Sequence, residues 1–502
     1  MSSTLFESAS EARYGSLGVP PAIPIPSLPN IVAEWAAIIP LVTHLASPRD
    51  DYITTGDITL SGSLSIELFP RLGILSSYSR LLTRGTKFLD YASTRGGSSR
   101  MVYDVSWGSV FPCANGAASS AVIRYLLSRS KSHSTPTVMP EKRPCPQKFE
   151  KETGKSCSFS TQSSTVTTDI PTQASPGMQF CSPKQSQNNR AAKSEELPDM
   201  VEKHRRRFQT LHVIRFYRKP KRLSTFQALL LRQQKATWYQ AVCFVVLTGL
   251  AVFLGVVGAY GTAAVLICCA VSKLVAWRVP ILRPALYLEN NESSLNDGTY
   301  MLVASHQNAS EWILLIGDRA VVDTLLNKPM IAVIGDGAGS PITHFAAIWF
   351  RFAHILQLTG MTFVAAQKGW DGISLVVLMA VHWALHAVFS RSNLVRTWLQ
   401  EEGIGADVKS FGFRGRMPML GAIQIFSGAK TTRWMDDIAV PHPRRDAWLR
   451  CIQGDETWRD KEGLLLSQSD RQFVELSAEA SIIAAAVLKH DFNGPRTSAA
   501  DV

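Results

Sequence analysis

The sequence predicts a mainly α fold, namely a multi-pass helical transmembrane protein with two helical hairpins, a disordered linker and a cytosolic tail. Three observations predict it. Residues 236–272 contain no charged residue, residues 372–390 contain none either, and residues 131–200 are dominated by Ser, Thr, Pro, Gln and Lys. About 20 apolar residues are enough to cross a bilayer as a helix, whereas a polar segment cannot bury enough surface to offset its ordering entropy.

The N-terminal region, residues 1–130, gives the weakest pattern. Residues 31–46 are apolar but include Glu34, Pro40 and His44, so they fit either a possible single span or a buried helix. Alternating Ser, Thr and Gly in residues 52–68 predict strands, and residues 117–130 predict a short helix. The disordered linker at 131–200 follows.

A polybasic juxtamembrane segment is predicted at residues 201–237. The formal net charge of the chain is +12, and residues 202–235 hold eleven Lys and Arg against one Glu. We expect this segment to bind anionic lipid headgroups, and no nucleic-acid motif accompanies the charge. The expected membrane-surface residues are Arg205, Arg206, Arg207, Arg218, Lys219, Lys221 and Arg222, and the apolar residues expected beside them in the interface are Phe208, Leu211, Ile214, Phe216 and Tyr217.

The first transmembrane hairpin is predicted at residues 238–279, with spans at 238–256 and 262–279. The glycine-rich string "GAYGT" between them fits a short turn. Basic residues flank both outer ends and the turn has none, so both ends should be cytosolic. The lipid bilayer is therefore the expected partner, and protein partners are not identified by the sequence.

A second hairpin is predicted at residues 344–390, after a cytosolic connecting segment at 280–343. Its spans are 344–364 and 372–390, and "KGWDG" is the turn. The first of these spans carries Arg351 and His354, which we expect on a polar stripe facing the bundle interior while Phe350 and Phe352 face lipid; an interfacial helix is the alternative. Residues 391–502 form the cytosolic C-terminal region, with an amphipathic helix at 478–492.

The glycine loop "IGDGAGSP", residues 334–341, resembles a nucleotide-binding turn only superficially. Gly335, Gly337 and Gly339 give G-x-G-x-G, the next acidic residue is Asp371, and no Lys-Ser/Thr pair follows. A dinucleotide or Walker-type site needs those partners. We therefore expect a flexible loop that leads into the next helix.

The string "HWALH" places His382 and His386 four residues apart on one helix face. That spacing could hold a metal or haem, with His354 as a third ligand, but the Glu of H-E-x-x-H is absent. The eight cysteines contain no CxxC pair. We expect no metal and no cofactor, and we expect the intramembrane polar residues Arg351, His354, His382 and His386 to be the first candidates for function.

Four strings between residues 301 and 448 carry a resemblance to a known family. "IGDRAVVDTLLNKPMI", "GMTFVAAQKGWDGISLVVLM", "GRMPMLGAIQIFSG" and "RWMDDI" resemble a group of predicted multi-pass membrane proteins of filamentous fungi with no assigned activity. The resemblance covers about a third of the chain and implies an integral membrane protein. It implies no catalytic residues.

These observations predict an integral membrane protein whose catalytic residues, if any, are unknown. The expected role is that of a non-enzymatic sensor, scaffold or transport component. One alternative is a membrane redox enzyme with a His-ligated haem or metal. The other is a membrane-anchored α/β nucleotide-binding enzyme, which high salt or carbonate would release from membranes.

Overall fold

The computed structural model describes sixteen stretches of the chain. They are residues 28–46, 51–64, 66, 73–94, 99–131, 137–138, 208–219, 225–279, 281–284, 287–289, 298–333, 341–367, 369–388, 391–455, 457–461 and 466–493. All of them belong to one compact unit, which is formed by residues 1–140 and 208–502. The predicted disordered linker falls outside the described residues except near its start.

Fifteen α-helices and one 3-10 turn, at Arg433–Met435, lie in the described residues. The helices are α1 Asn30–Ala46, α2 Asp51–Ser61, α3 Ile74–Arg84, α4 Thr86–Thr94, α5 Gly116–Lys131, α6 Thr225–Val256, α7 Tyr260–Arg278, α8 Arg319–Leu326, α9 Pro341–Gln367, α10 Trp370–Val388, α11 Arg391–Glu401, α12 Arg416–Ser427, α13 Pro443–Ile452, α14 Trp458–Lys461 and α15 Gln468–Asn493.

Nine strands accompany them in the described residues. They are β1 Met101–Asp104, β2 Val110–Pro112, β3 Thr137–Val138, β4 Gln209–Arg218, β5 Ile281–Leu282, β6 Thr299–Ala304, β7 Glu311–Gly317, β8 Ala332–Val333 and β9 Ile404–Phe413. Seven form one mixed sheet in the order β2-β1-β6-β7-β4-β9-β3, and β5 pairs with β8. Within the sheet β4 runs parallel to β7 and antiparallel to β9.

Both faces of the central sheet are buried. On β4, Leu211 and Val213 belong to one hydrophobic core, and Ile214 and Phe216 belong to the core on the opposite face. Helices α12, α13 and α15 cover the first face, and α5, α8 and α11 cover the second. The result is a three-layer α/β/α unit, the arrangement that a sheet buried on both sides requires.

A glycine ends β7 in a conformation that other residues rarely adopt. Gly317 has φ +111°, and a Cβ atom at this position would overlap the carbonyl oxygen of Phe216 in β4. Asp318 follows immediately and caps α8, because its side chain accepts hydrogen bonds from the N–H groups of Ala320 and Val321. The chain can therefore turn from strand to helix within two residues.

A separate group of apolar helices packs beside this unit. We call α1, α6, α7, α9 and α10 the bundle. Helix α7 packs against α6, α9 and α10, while α1 packs against α9 and α10. Their inner side chains form one core, which includes Leu247, Leu266, Met361 and Leu375. A further core joins α7 and α9 to α2, α3 and α4.

The prediction of a mainly α, multi-pass transmembrane fold is wrong. The described residues contain a seven-stranded mixed sheet, and one helix among them, α7, is long and apolar enough to cross a membrane. The pair α1 and α2 meets the same criterion only as one span bent by 79°. The apolar parts of α6 and α10 are shorter, at Ala241–Val256 and Trp370–Ala384.

Three segments predicted to lie outside a core are parts of the sheet unit instead. Strand β4 falls in the predicted juxtamembrane segment, so Leu211, Ile214 and Phe216 are buried in the sheet and not in a membrane interface. The predicted cytosolic connector, residues 280–343, contains β6, β7 and α8, and the predicted C-terminal tail contains β9 and α12 to α15. The strands expected at residues 52–68 are wrong, because α2 occupies 51–61.

The helix predictions are closer to the structure. Helices α6 and α7 pack against each other, whereas α10, which follows α9, packs mainly against α1. The breaks within the two pairs lie at the strings "GAYGT" and "KGWDG". Helix α5 confirms the short helix predicted at 117–130. Helix α15 confirms the amphipathic helix, because Ala478, Ala484, Ala485 and Leu488 are buried along one side.

Candidate functional site

The outer surface of the bundle is the most unusual surface of the described structure. Most of the exposed large apolar side chains among the described residues lie on its five helices. The most exposed on each helix are Ile31 and Trp35 on α1, Val245 and Val252 on α6, Ile267 on α7, Phe345 and Ile348 on α9, and Val377 and Trp383 on α10. A contiguous apolar surface of this kind marks contact with a membrane or with a partner protein.

Small residues bring the helices of the bundle close together. A Cβ atom on Gly360 would lie 2.8 Å from Cγ2 of Val265, and one on Gly261 would lie 2.6 Å from Cγ2 of Val364. Helices α7 and α9 therefore touch along a seam that excludes larger side chains. Seams of small residues are typical of helices that associate in lipid.

A buried carboxylate ties the ends of two bundle helices together. Asp371, in the first turn of α10, accepts hydrogen bonds from the N–H of Gly261 and the N–H of Thr262, both at 2.7 Å. The hydroxyl of Thr262 donates back to the carbonyl oxygen of Asp371 at 2.8 Å. Asp371 thus caps the N-terminus of α7 across the bundle, where the helix dipole favours a negative charge.

The opposite end of the bundle is basic and aromatic. Helix α7 ends in Trp277 and Arg278, with the guanidinium of Arg278 lying 5.4 Å from the Trp277 ring centre. Lys273 lies one turn earlier, and Arg218 and Lys219 end the strand that leads into α6. Trp and basic residues of this kind are enriched at the membrane–water interface on the cytosolic side.

The edge of the sheet where β4 and β7 end carries further charged groups. Nε of Arg218 lies 2.7 Å from the Asp318 carboxylate, and Arg319 lies over the ring of Trp107 at 5.0 Å. Asp104 is buried and accepts hydrogen bonds from the N–H groups of Ser106 and Trp107. Burial raises the pKa of the Asp104 carboxyl above its ordinary value. These groups hold turns and helix ends in place.

A cavity of about 230 Å³ lies between α2, α4, the start of α5 and residues 327–331. Thr55, Thr59 and Ser93 line it, and each hydroxyl donates to a carbonyl of its own helix. Asn115 also lines it and donates to two backbone carbonyls. The cavity could accommodate a small polar molecule, but its described polar side chains are mostly engaged in holding the fold together.

The structure separates the four residues predicted as intramembrane polar candidates. Arg351 is exposed on the outer side of α9, so the expected inward stripe is wrong at this position, and Phe350 is fully buried where lipid contact was expected. His354 is half-buried and interacts electrostatically with buried His44 of α1. His382 is buried in α10. His386 belongs to α10, but its side chain lies outside the described part.

The predicted membrane-surface residues are described only in part. Arg205, Arg206, Arg207, Lys221 and Arg222 lie outside the described residues. Arg218 and Lys219 are exposed at the end of β4, six or seven residues before α6 begins. The glycine loop also lies outside them, at residues 334–340, although Pro341 begins α9 as its position predicts.

Sequence reasoning missed two buried ionisable residues of the bundle, Asp371 and His44. Asp371 was noted only as an acidic residue too distant for a nucleotide site, although a single carboxylate within a long apolar region is itself a signal. His44 was noted only as an interruption of an apolar run, and its Nε2 is buried without a hydrogen-bond partner. In the described part of the chain, no group of three or more His, Cys, Asp and Glu could hold a metal ion.

No family model, curated protein or solved structure matches this chain. The resemblance to fungal membrane proteins therefore stays a prediction, and function has to be argued from the geometry.

Proposed function

We propose that this is an integral membrane protein in which α7 and the exposed apolar faces of the helices packed on it lie in lipid, and in which the bundle holds the α/β unit at the membrane surface. The observation that carries the proposal is the distribution of apolar side chains on α6 and α9. Their inner faces pack against α7, while Val245, Val252, Phe345 and Ile348 are each more than half exposed among the described residues. At about 25 cal/mol per Å², covering such a surface is strongly favourable.

Lipid fits this surface better than a soluble protein partner does. Exposed large apolar side chains lie on all five helices of the bundle, whereas a docking groove is lined by fewer elements. The charge of α7 agrees with this, because its basic residues Lys273 and Arg278 both lie towards its C-terminal end and its first twelve residues carry no charge. Basic residues near anionic headgroups add about 1 kcal/mol each.

The role we propose is non-enzymatic, and the arrangement supports a scaffold over a sensor or transport component. At the edge of the sheet where β4 and β7 end, Asp318 caps α8 and pairs with Arg218, while Asp104 closes a turn. These groups fix a helix end and two turns inside the α/β unit. A scaffold at the membrane surface requires a rigid unit of this kind.

Membrane extraction of the full-length chain tests the proposal. We expect wild-type protein to stay in the pellet in high salt and in alkaline carbonate, and to be released by detergent. The double variant Val245→Glu, Val252→Glu places two carboxylates on the outer face of α6, at a cost of about 2 to 4 kcal/mol each near the bilayer centre. Its carbonate-resistant fraction should fall several-fold.

Val440→Glu is the matched control. Val440 is 74% exposed and Val245 is 67% exposed, but Val440 lies in the α/β unit, outside the bundle. This variant should extract like wild type. Release of wild-type protein by carbonate would overturn the proposal, as would equal loss of membrane binding in the two variants.

A further inference from the structure

Most backbone N–H groups of the turn between α6 and α7 donate hydrogen bonds within the bundle. The N–H groups of six residues around it donate to partners inside the bundle: Val257 to Phe253, Gly258 to Gly255, Ala259 to Leu254, Ala263 to Ala259, and Gly261 and Thr262 to the Asp371 carboxylate. In water such groups need no protein partner, because solvent satisfies them. In hydrocarbon each unsatisfied group costs several kcal/mol.

The side chains of the turn, like its backbone, are compatible with a hydrocarbon environment. Residues 256–262, "VVGAYGT", contain no charge, and Val256 is half exposed at the tip. Gly258 has φ +92°, which lets the last turn of α6 close on itself. The carboxylate of Asp371 is 7% exposed, and both of its oxygens accept hydrogen bonds from the N-terminus of α7.

The length of α7 sets how deep the tip can lie. From Arg278 to Tyr260 the helix rises roughly 27 Å at 1.5 Å per residue, and from Lys273 it rises roughly 20 Å. The hydrocarbon core is about 30 Å thick. With Trp277 and Arg278 at the interface, this rise brings the tip to within about 3 Å of the far boundary of that core without passing it.

Resting on the proposed function, we infer that the α6–α7 hairpin is re-entrant: it enters and leaves the bilayer on one side, and its turn stays in the hydrocarbon. Asp371 is the residue that makes this position possible, because it supplies the acceptors that water would otherwise supply.

Cysteine labelling of full-length Val256→Cys in sealed vesicles tests the inference. A membrane-impermeant maleimide is added outside, then to both sides after freeze–thaw, and then in detergent, and the labelled peptides are read by mass spectrometry. Thiols react as thiolates in water, so a thiol in hydrocarbon stays unlabelled. We expect labelling of Cys at 256 only in detergent, at least ten-fold above the two vesicle conditions. Ala366→Cys probes the adjacent end of α9, and exposed Val440→Cys should label from one side throughout.

The outcomes separate this inference from the proposed function. Labelling of Val256→Cys only after freeze–thaw, from the side opposite Val440→Cys, would show a hairpin that crosses the bilayer and would overturn the inference alone. Labelling from the same side as Val440→Cys would also overturn it. If the protein is in addition released by carbonate, the proposed function fails too.

Discussion

Individual buried polar residues show how this chain places charge away from water. Asp371 and Asp104 are both buried, and both accept hydrogen bonds from the backbone N–H groups of two consecutive residues. Asp371 joins two helices, while Asp104 closes the turn between β1 and β2. In each case a carboxylate replaces the water that a backbone turn would otherwise need.

Replacing Asp104 with Asn should make the protein more stable at neutral pH. Burial raises the pKa of Asp104 in the folded state, so the carboxyl ionises more easily in the unfolded chain. Below the pKa that Asp104 has in the unfolded chain, its carboxyl is protonated in both states and does not affect stability. As the pH rises through the higher pKa of the folded state, the free energy of unfolding falls. An Asn side chain keeps an acceptor for the Ser106 and Trp107 N–H groups without the charge.

Thermal unfolding of detergent-solubilised wild-type and Asp104→Asn protein between pH 4 and pH 8 measures this effect. The Tm of the variant should exceed that of wild type at pH 8, and the difference should shrink as the pH falls. A difference that is independent of pH would mean that the charge of Asp104 does not matter. Glu311→Gln at the exposed start of β7 is the control.

At the scale of elements, helices were predictable and strands were not. The uncharged runs around 241–272 and 372–388 predict helices whatever surrounds them, because length and apolarity suffice. Strand β4 was predicted as part of the basic segment because it contains Arg215 and Arg218. Both its faces are buried, so it lacks the alternation that identifies a half-exposed strand.

The candidate site was predictable to a similar extent. The apolar bundle and the turn at 257–260 follow from composition and glycine content. The cap between Asp371 and Gly261 does not, because it joins residues 110 positions apart. The sequence also does not show whether Arg351 and Phe350 face inward or outward. Their directions depend on distant segments, because α1 and α3 pack against α9.

The close contact of α7 and α9 leads to a double-mutant prediction. Gly360→Ala places a methyl group 2.8 Å from Val265 Cγ2 and should destabilise the bundle by about 1 to 3 kcal/mol through overpacking. Val265→Ala should also destabilise it, through a cavity. Because the two changes share one contact, the double variant should be less destabilised than the sum of the single variants.

The coupling free energy between positions 265 and 360 is measured by thermal unfolding, in one detergent, of wild type, the two single variants and the double variant. Gly249→Ala is the matched control, since a Cβ at Gly249 meets nothing within 4 Å. Additive effects at positions 265 and 360 would contradict the packing described for α7 and α9.

At the scale of the whole molecule, the sheet and the bundle are interleaved along the chain. The hairpin α6–α7 lies between β4 and β6, and α9–α10 lies between β8 and β9. Strand β9 pairs with β4 along its full length, from Ile404 to Phe413. The α/β unit is therefore incomplete until the last third of the chain is present, whereas every bundle helix precedes residue 389.

A chain that ends at Glu401 should separate the two parts. It keeps all five bundle helices but lacks β9 and the helices that cover one sheet face. We expect it to stay in the carbonate-resistant pellet while β4, β6 and β7 become sensitive to added protease. A chain that ends at Asn493 should behave like wild type in both assays. Protease resistance of the shorter chain would show that the sheet does not depend on β9.

This interleaving has a consequence for biosynthesis. When β4 leaves the ribosome, its neighbour β9 has not been made, and at 5 to 20 residues per second the nascent chain waits roughly 10 to 40 s for it. During that interval β4 has open hydrogen-bonding edges and directly precedes the hairpin that we propose lies in the bilayer. A chaperone or the insertion machinery should therefore have to shield β4, and yield in cells should depend on translation speed between residues 219 and 403.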